Sequence, residues 1–336
     1  MKPGVLETLV GVDHLKSEHQ TSLIPMYDKL SDDEFKKYFS GEISFFVSQG
    51  CSQGCSFCAA VKGTPEKYRD MNIIHDDLSY IASRLEKLWV HNVSMYISNL
   101  DVWQTPNLLW AFADTVKSVK DAHPGFSFTM RGLAGTSFFV KIHNHYPHIV
   151  RKIVEAGFDN AGYGVDGIGE EVWRRIKKPQ NNEKNILDAI EISRKEYWIT
   201  PELLMVFGHV GVDNEETLKR DLTFVENMVD QFWAVPRPHI SKPFIPGNDG
   251  RTDAKFQEKI ALLIKHPHLF QALDFTALAN SITHDDPHFR KLVNQYYLEM
   301  CKLKGNTTLP IVPYEFWDSA EIISQKKKQN EGKFDR

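Results

Sequence analysis

The sequence predicts an α/β protein. Six βα units would build an open, incomplete barrel or a doubly wound sheet, followed by a mainly helical C-terminal extension. Two observations predict this. Short apolar runs alternate with amphipathic segments of helical spacing from residue 43 to residue 242. After Pro246-Gly247-Asn248 the alternation stops, and residues 255–304 keep helical spacing alone. Six units are too few for a closed eight-unit barrel. In either arrangement ligands bind at the carboxyl ends of the strands.

The elements follow in order. Residues 1–40 form a lead-in, with Ser31 and Glu34 as a capping box before Phe35, Tyr38 and Phe39. Ile43–Val47 is an apolar strand. Ile74–Trp89 has its apolar residues at helical spacing, with Asp76 and Asp77 expected in the first turn. Val93–Ser98 is a strand, and Pro106–Ala122 a helix with Thr105 as N-cap and Pro106 as first helical residue. Phe126–Met130 is a strand, and Pro147–Ala156 a helix closed by Gly157. Phe158–Gly164 is a strand, Gly169–Ile176 opens a short helix and Glu183–Lys195 is a longer one. Leu203–Phe207 is a strand, Glu215–Val229 a helix capped by Asn214, and Phe232–Val235, extended to His239–Lys242, the last strand. Residues 305–336 read as an irregular, polar tail.

Composition narrows the function. Hydrophobic residues are 42% and charged residues 25% of 336, so a full core can be buried without staples. The net charge of −4 argues against broad electrostatic binding of nucleic acid. No apolar run approaches the roughly 18 residues of a membrane helix, and Met1–Lys16 does not read as a secretory signal. Four cysteines exclude a disulfide scaffold at this size, so a cytoplasmic location is expected, without a membrane partner.

Three of those cysteines carry the chemistry. Cys51, Cys55 and Cys58 form C-x3-C-x2-C directly after the first predicted strand. Three thiolates on one loop can hold three corners of a four-iron cluster and leave the fourth iron open to a ligand. The alternative is a structural zinc, which is normally closed by four ligands; the nearest fourth candidate is His75.

With Phe57 before the third cysteine, the loop SQGCSQGCSFC resembles the signature of the radical S-adenosylmethionine (radical SAM) superfamily. It is similar to the branch of methylthiotransferases and cobalamin-dependent members. The resemblance spans residues 41–246 and implies a partial (βα)6 TIM-like barrel, with 247–336 as its helical extension. It also implies a 4Fe-4S cluster on Cys51, Cys55 and Cys58, and S-adenosylmethionine chelated to the open iron. One electron would cleave that cofactor to a 5′-deoxyadenosyl radical, which abstracts a hydrogen atom from substrate. The electron would come from a donor such as flavodoxin or ferredoxin. There is no room before the cysteine loop for a cobalamin-binding domain of the usual size, and the single remaining cysteine disfavours a second cluster.

Further positions match in part. Ser98-Asn99-Leu100-Asp101 stands where many members have Gly-Gly-Glu, so Asn99 and Asp101 are candidates for the methionine amino group; a plain Asx-capped turn is the alternative. Gly164-Val165-Asp166-Gly167 is similar to the segment that supplies a ribose-binding acid, here Asp166. Behind it Arg174, Arg175 and Lys177 compete for the methionine carboxylate, arginine being the better bidentate partner. Gly208 and Gly211 would let the backbone approach adenine, and Phe244 or Ile245 would pack on it.

Arg131, read as closing its strand, is a candidate anchor for an anionic substrate. His143, His145 and His148 read as loop histidines, with a second metal site as the alternative. Cys301 is a candidate hydrogen donor or a buried small hydrophobe. The expected function is hydrogen abstraction from a small biosynthetic substrate, ending in epimerisation, rearrangement, elimination or C–C bond formation. The competing readings are radical modification of RNA or peptide, and a non-catalytic zinc or iron–sulfur protein.

Overall fold

The computed structural model describes residues 21–58, 63–241 and 286–303. Its strands are β1 (Ile43–Phe46), β2 (Ser48–Gln49), β3 (Lys67–Tyr68), β4 (Asn92–Ser98), β5 (Ser127–Ala134), β6 (Phe158–Gly164), β7 (Thr200–Phe207) and β8 (Val235–Ile240). Six of them form one sheet in the order β1-β4-β5-β6-β7-β8, with β1, β4 and β5 parallel and β7 parallel to β8. The strands never reverse their order. A doubly wound sheet reverses at its switch point, so the sequential order is that of a partial (βα)6 barrel. β2 and β3 pair separately as a small antiparallel ribbon around the cysteine loop, which the sequence did not announce.

The chain divides into two compact units, one of Met1–Gln53, Ala60–Gly162 and Ile192–Thr200, the other of Gly54–Ala59, Tyr163–Glu191 and Pro201–Arg336. In the first, the helix Met71–Lys87 buries Ile74, Leu78, Ile81 and Leu85, and Pro106–Ala122 buries Leu109, Phe112 and Val116, while β4 buries Val93, Met95 and Ile97. These spacings of three and four on the helices and two on the strand give each element one apolar face. In the second, Leu203, Met205 and Phe207 of β7 pack with Leu218, Val225 and Val229 of the helix Glu215–Phe232 and with Tyr297 and Met300 of the helix Pro287–Lys302. Among the described residues no helix is long and apolar enough to cross a membrane.

Several expected elements shift for identifiable reasons. The first long helix opens at Met71, capped by Asp70, so Asp77 lies beyond its first turn. There Asp77 is fully buried and accepts hydrogen bonds from Arg69 Nη2 (2.5 Å) and Leu23 N (2.9 Å). Thr105 precedes Pro106 as expected but makes no side-chain cap. Residues Phe232–Ala234, expected as strand, instead finish the preceding helix: it runs to Phe232, and Trp233 takes the left-handed conformation (φ 55°) that closes it. Thr136–His145 is helical, so His143 and His145 sit on a helix and not in a loop. The segment 242–285 and the tail 304–336 lie outside the described residues, as does the start of the lead-in.

Candidate active site

Two loops in the first unit meet at strand ends. Asp101, after β4, is buried, and its Oδ1 accepts hydrogen bonds from Trp103 N (3.1 Å) and Gly135 N (3.0 Å). It thereby ties the end of β4 to the end of β5, and a Cβ at Gly135 would lie 2.3 Å from its Oδ2. Asn99, two residues earlier, is 4% exposed, and neither its amide nitrogen nor its oxygen has a partner among the described residues. A buried, unpartnered amide is costly.

The cysteine loop starts in this unit. Gly50 takes φ 104°, with Pro65 O only 2.4 Å from where a Cβ would stand, so glycine is required there. Gln104 brackets the loop, accepting from Ser52 N (2.7 Å) and donating to Gly50 O (3.3 Å). Cys51 Sγ accepts from Gln53 N at 3.4 Å.

Arg131 departs from its expected place. β5 continues three residues past it to Ala134, and Arg131 pairs in register with Tyr96, itself level with Ser44 near the start of β1. It is therefore not at the mouth. Its guanidinium makes a two-armed ion pair with Glu42 (Nη2 to Oε1 2.7 Å) and lies over the Tyr96 ring. Of the histidines, His143 meets Tyr197 Oη at 2.9 Å and His145 meets Lys141 O at 2.8 Å.

The second unit holds the rest of the cysteine loop and the ends of β6 and β7. Cys55 is buried, which pushes its thiol pKa up, and Gln180 Nε2 points at its sulfur from 3.9 Å. Ser56 N donates to Ile176 O (2.9 Å), anchoring the loop to the end of the helix Glu170–Arg175. Phe57 packs against the core, its ring 5.4 Å from that of His209. His209 is buried, which holds its imidazole pKa below the usual value. Its Nε2 donates to Val206 O (3.1 Å), so Nδ1 is the unprotonated nitrogen. Gly208 precedes it at φ 78°.

Asp166 closes β6 in the left-handed conformation, φ 53°, and is 4% exposed. Its carboxylate receives Val206 N (3.3 Å) and an ion pair from Lys178 Nζ, which also donates to Gly164 O (2.6 Å). Lys178 reaches it because the short helix ends in a Schellman motif. Lys177, at φ 56°, donates from N to Arg174 O (3.2 Å), and Lys178 N to Trp173 O (2.7 Å). The chain turns inward there. Arg174, Arg175 and Lys177 stay exposed, Arg175 bonding Gly211 O (2.9 Å), while Lys178 is buried. The basic residue beside the acid is thus Lys178, which the reading of the helix face missed. The readable signal was Pro179, since a residue before proline leaves the helical conformation.

Cys301 lies on the helix Pro287–Lys302 against the second unit's core, and burial pushes its thiol pKa up to about 11. Ile245 and Phe244 lie outside the described residues. None of the four cysteines is joined in a disulfide. Among the described residues no three His, Cys, Asp or Glu side chains gather as a single metal ion requires, and His75, the fourth ligand of the zinc alternative, sits instead beside Asp76 on its helix.

Comparison with known proteins follows the same lines. The family model described as the radical SAM superfamily matches residues 45–225. No curated protein matches the chain. Among solved structures, the radical SAM methyltransferase TsrM from Kitasatospora setae is similar over 69% of this chain and 38% of its own, at 15% identity and a TM-score of 0.48. Coproporphyrinogen III oxidase (HemN) from Escherichia coli is similar over 70% of this chain and 56% of its own, at 13% identity and a TM-score of 0.45. Methylornithine synthase (PylB) is similar over 92% and 88%, at 13% identity and a TM-score of 0.43. The chain thus spans less than half the length of the first of these.

Proposed function

The chain belongs to the radical SAM superfamily, and from that premise we propose that it is a single-cluster enzyme acting on a small biosynthetic molecule. Superfamily members use a 4Fe-4S cluster and S-adenosylmethionine. When bound, these supply one chemistry: reductive cleavage to a 5′-deoxyadenosyl radical that abstracts a hydrogen atom from substrate. The observation that carries the reading is the cysteine loop itself, three cysteines outside any disulfide within the matched stretch.

The donor set suits such a cluster, because thiolates are its usual ligands. Cys51, Cys55 and Cys58 would hold it. The unpartnered amide of Asn99 suits the amino or carboxylate group of a methionine moiety. Asp166 would accept from ribose hydroxyls, and Lys178, paired with it, would offer positive charge to an anionic group nearby. Phe57, its ring set against that of His209, would pack on an adenine ring. A flavodoxin or ferredoxin would deliver the electron.

The test uses protein reconstituted without oxygen. Iron and sulfide are counted per chain, then dithionite and S-adenosylmethionine are added. Near four irons with 5′-deoxyadenosine formed supports the reading. Methylthioadenosine instead would redirect it to cleavage of another C–S bond. Stoichiometric zinc without cleavage would overturn it.

A further inference from the structure

One buried carboxyl in the second unit has no part in the reading above. Asp221 lies on the helix Glu215–Phe232 and is fully buried. Its Oδ1 accepts from Ile168 N at 2.7 Å. Its Oδ2 is buried too and has no partner among the described residues.

The segment it grips follows Asp166 directly. Asp166, Gly167 and Gly169 have φ of 53°, 84° and 126°, so three of these four consecutive residues are left-handed. Such a turn forms no regular ladder, and its peptide groups must be satisfied from outside. Trp173 Nε1 donates to Val165 O (3.0 Å) and Gly167 O (2.8 Å). Asn181 Nδ2 donates to Gly164 O (3.1 Å) and Val165 O (2.9 Å). These side chains fix carbonyls; Asp221 fixes an N–H. The fit is close, since a Cβ at Gly167 would stand 2.9 Å from Val172 Cγ1 and 3.7 Å from Asp221 Oδ2.

We propose that Asp221 is a positioning residue of the cofactor site: acting through the Ile168 peptide, it holds the Asp166–Gly169 turn so that the Asp166 carboxylate is presented to the ribose. For stability alone, a carboxyl with one oxygen buried and unpartnered is a poor choice. As a fixed acceptor for one peptide N–H it serves in either protonation state, since Oδ1 keeps a lone pair for Ile168 N. The inference rests on Asp166 being the ribose acceptor.

The experiment measures binding of S-adenosylmethionine, 5′-deoxyadenosine and L-methionine, each separately, to the anaerobically reconstituted full chain. The loss of one positioning hydrogen bond predicts that Asp221→Ala weakens the first two about tenfold and leaves L-methionine unchanged. Asp221→Asn keeps an acceptor oxygen and restores both. Unchanged 5′-deoxyadenosine binding in Asp221→Ala overturns the proposal, and so does an equal loss for L-methionine, which would mark a general structural defect. If Asp221→Ala does not fold, Asp221→Ser, too short to reach Ile168, is compared with Asp221→Asn, and equal 5′-deoxyadenosine affinity in those two overturns it. Asp166→Ala separates the premise: wild-type 5′-deoxyadenosine affinity there removes the ribose reading itself, whatever Asp221 does.

Discussion

Lys178 donates from one ammonium group to both the Asp166 carboxylate and the Gly164 carbonyl, so the last residues of β6 are held by a single buried cation. Both side chains are nearly out of solvent, 11% and 6% exposed. A pair so placed gives little net stability, because desolvation offsets the attraction. Its consequence is geometric: the Asp166 carboxylate is held from both sides, with Val206 N on its other oxygen.

Breaking that pair from one side should therefore cost far more than removing it. Lys178→Met leaves a buried carboxylate uncompensated and is expected to lower stability by about 3 kcal/mol. Asp166→Asn in the same background should recover much of that loss, giving a large coupling in the double-mutant cycle. Urea midpoints of the four proteins measure it. Additive losses would show that the two side chains do not depend on each other.

Asp221 predicts a pH dependence. Burial, with Asp213 beside it, holds its carboxyl well above the usual aspartate range, while Arg220, paired with Glu171, opposes this. A folded-state pKa above the unfolded value of about 3.9 means the folded protein binds the extra proton. The contribution is then fully present below the unfolded value and is lost as pH rises through the folded one. Asp221→Asn cannot ionise, so the mutant should become progressively less disadvantaged, and then favoured, as pH rises above about 4. Paired thermal melts across that range measure the difference; parallel curves would show that Asp221 ionises normally in the fold.

The strands and long helices were legible because periodicity reports burial. The helices Pro106–Ala122 and Pro147–Ala156 and the strand Phe158–Gly164 fall on their expected bounds. The missing pieces depend on contacts distant in sequence. The pairing of Ser48-Gln49 with Lys67-Tyr68 joins two-residue strands that have no period to read. Arg131 was read as closing its strand, yet the strand runs on through Gly132, where a Cβ would meet Val102 Cγ2 at 2.6 Å, so the glycine serves close packing within the strand. For Lys178 only Pro179 hinted at the inward turn that Lys177 makes with its left-handed φ, and Asp221 became visible only once the helix Glu215–Phe232 was packed beside Ile168.

The cysteines allow a direct separation. Replacing Cys51, Cys55 or Cys58 by Ala is expected to remove the iron–sulfur absorbance, since each would supply one corner of the cluster. Cys301→Ala should keep the iron content. It truncates a half-buried thiol against the core, so only a modest fall in melting temperature is expected. Iron analysis of the four variants decides, and loss of iron in Cys301→Ala alone would refute the ligand assignment.

Trp173 offers the strictest test of how the β6 end is held. Its indole N–H is shared between the carbonyls of Val165 and Gly167, on either side of Asp166, and the ring is buried in the core. Trp173→Phe keeps most of the apolar contact and leaves both carbonyls without this donor. Val165 O retains Asn181, but no other donor to Gly167 O is seen among the described residues. The lost hydrogen bonds and the smaller ring together should cost about 2–3 kcal/mol of stability. Because the slackened carbonyls flank Asp166, 5′-deoxyadenosine affinity should fall as well, whereas a loss of core volume elsewhere in this unit, such as Met205→Ala, should lower stability and spare that affinity. Equal effects of the two substitutions on 5′-deoxyadenosine binding would show that the turn is set by general packing and not by the indole.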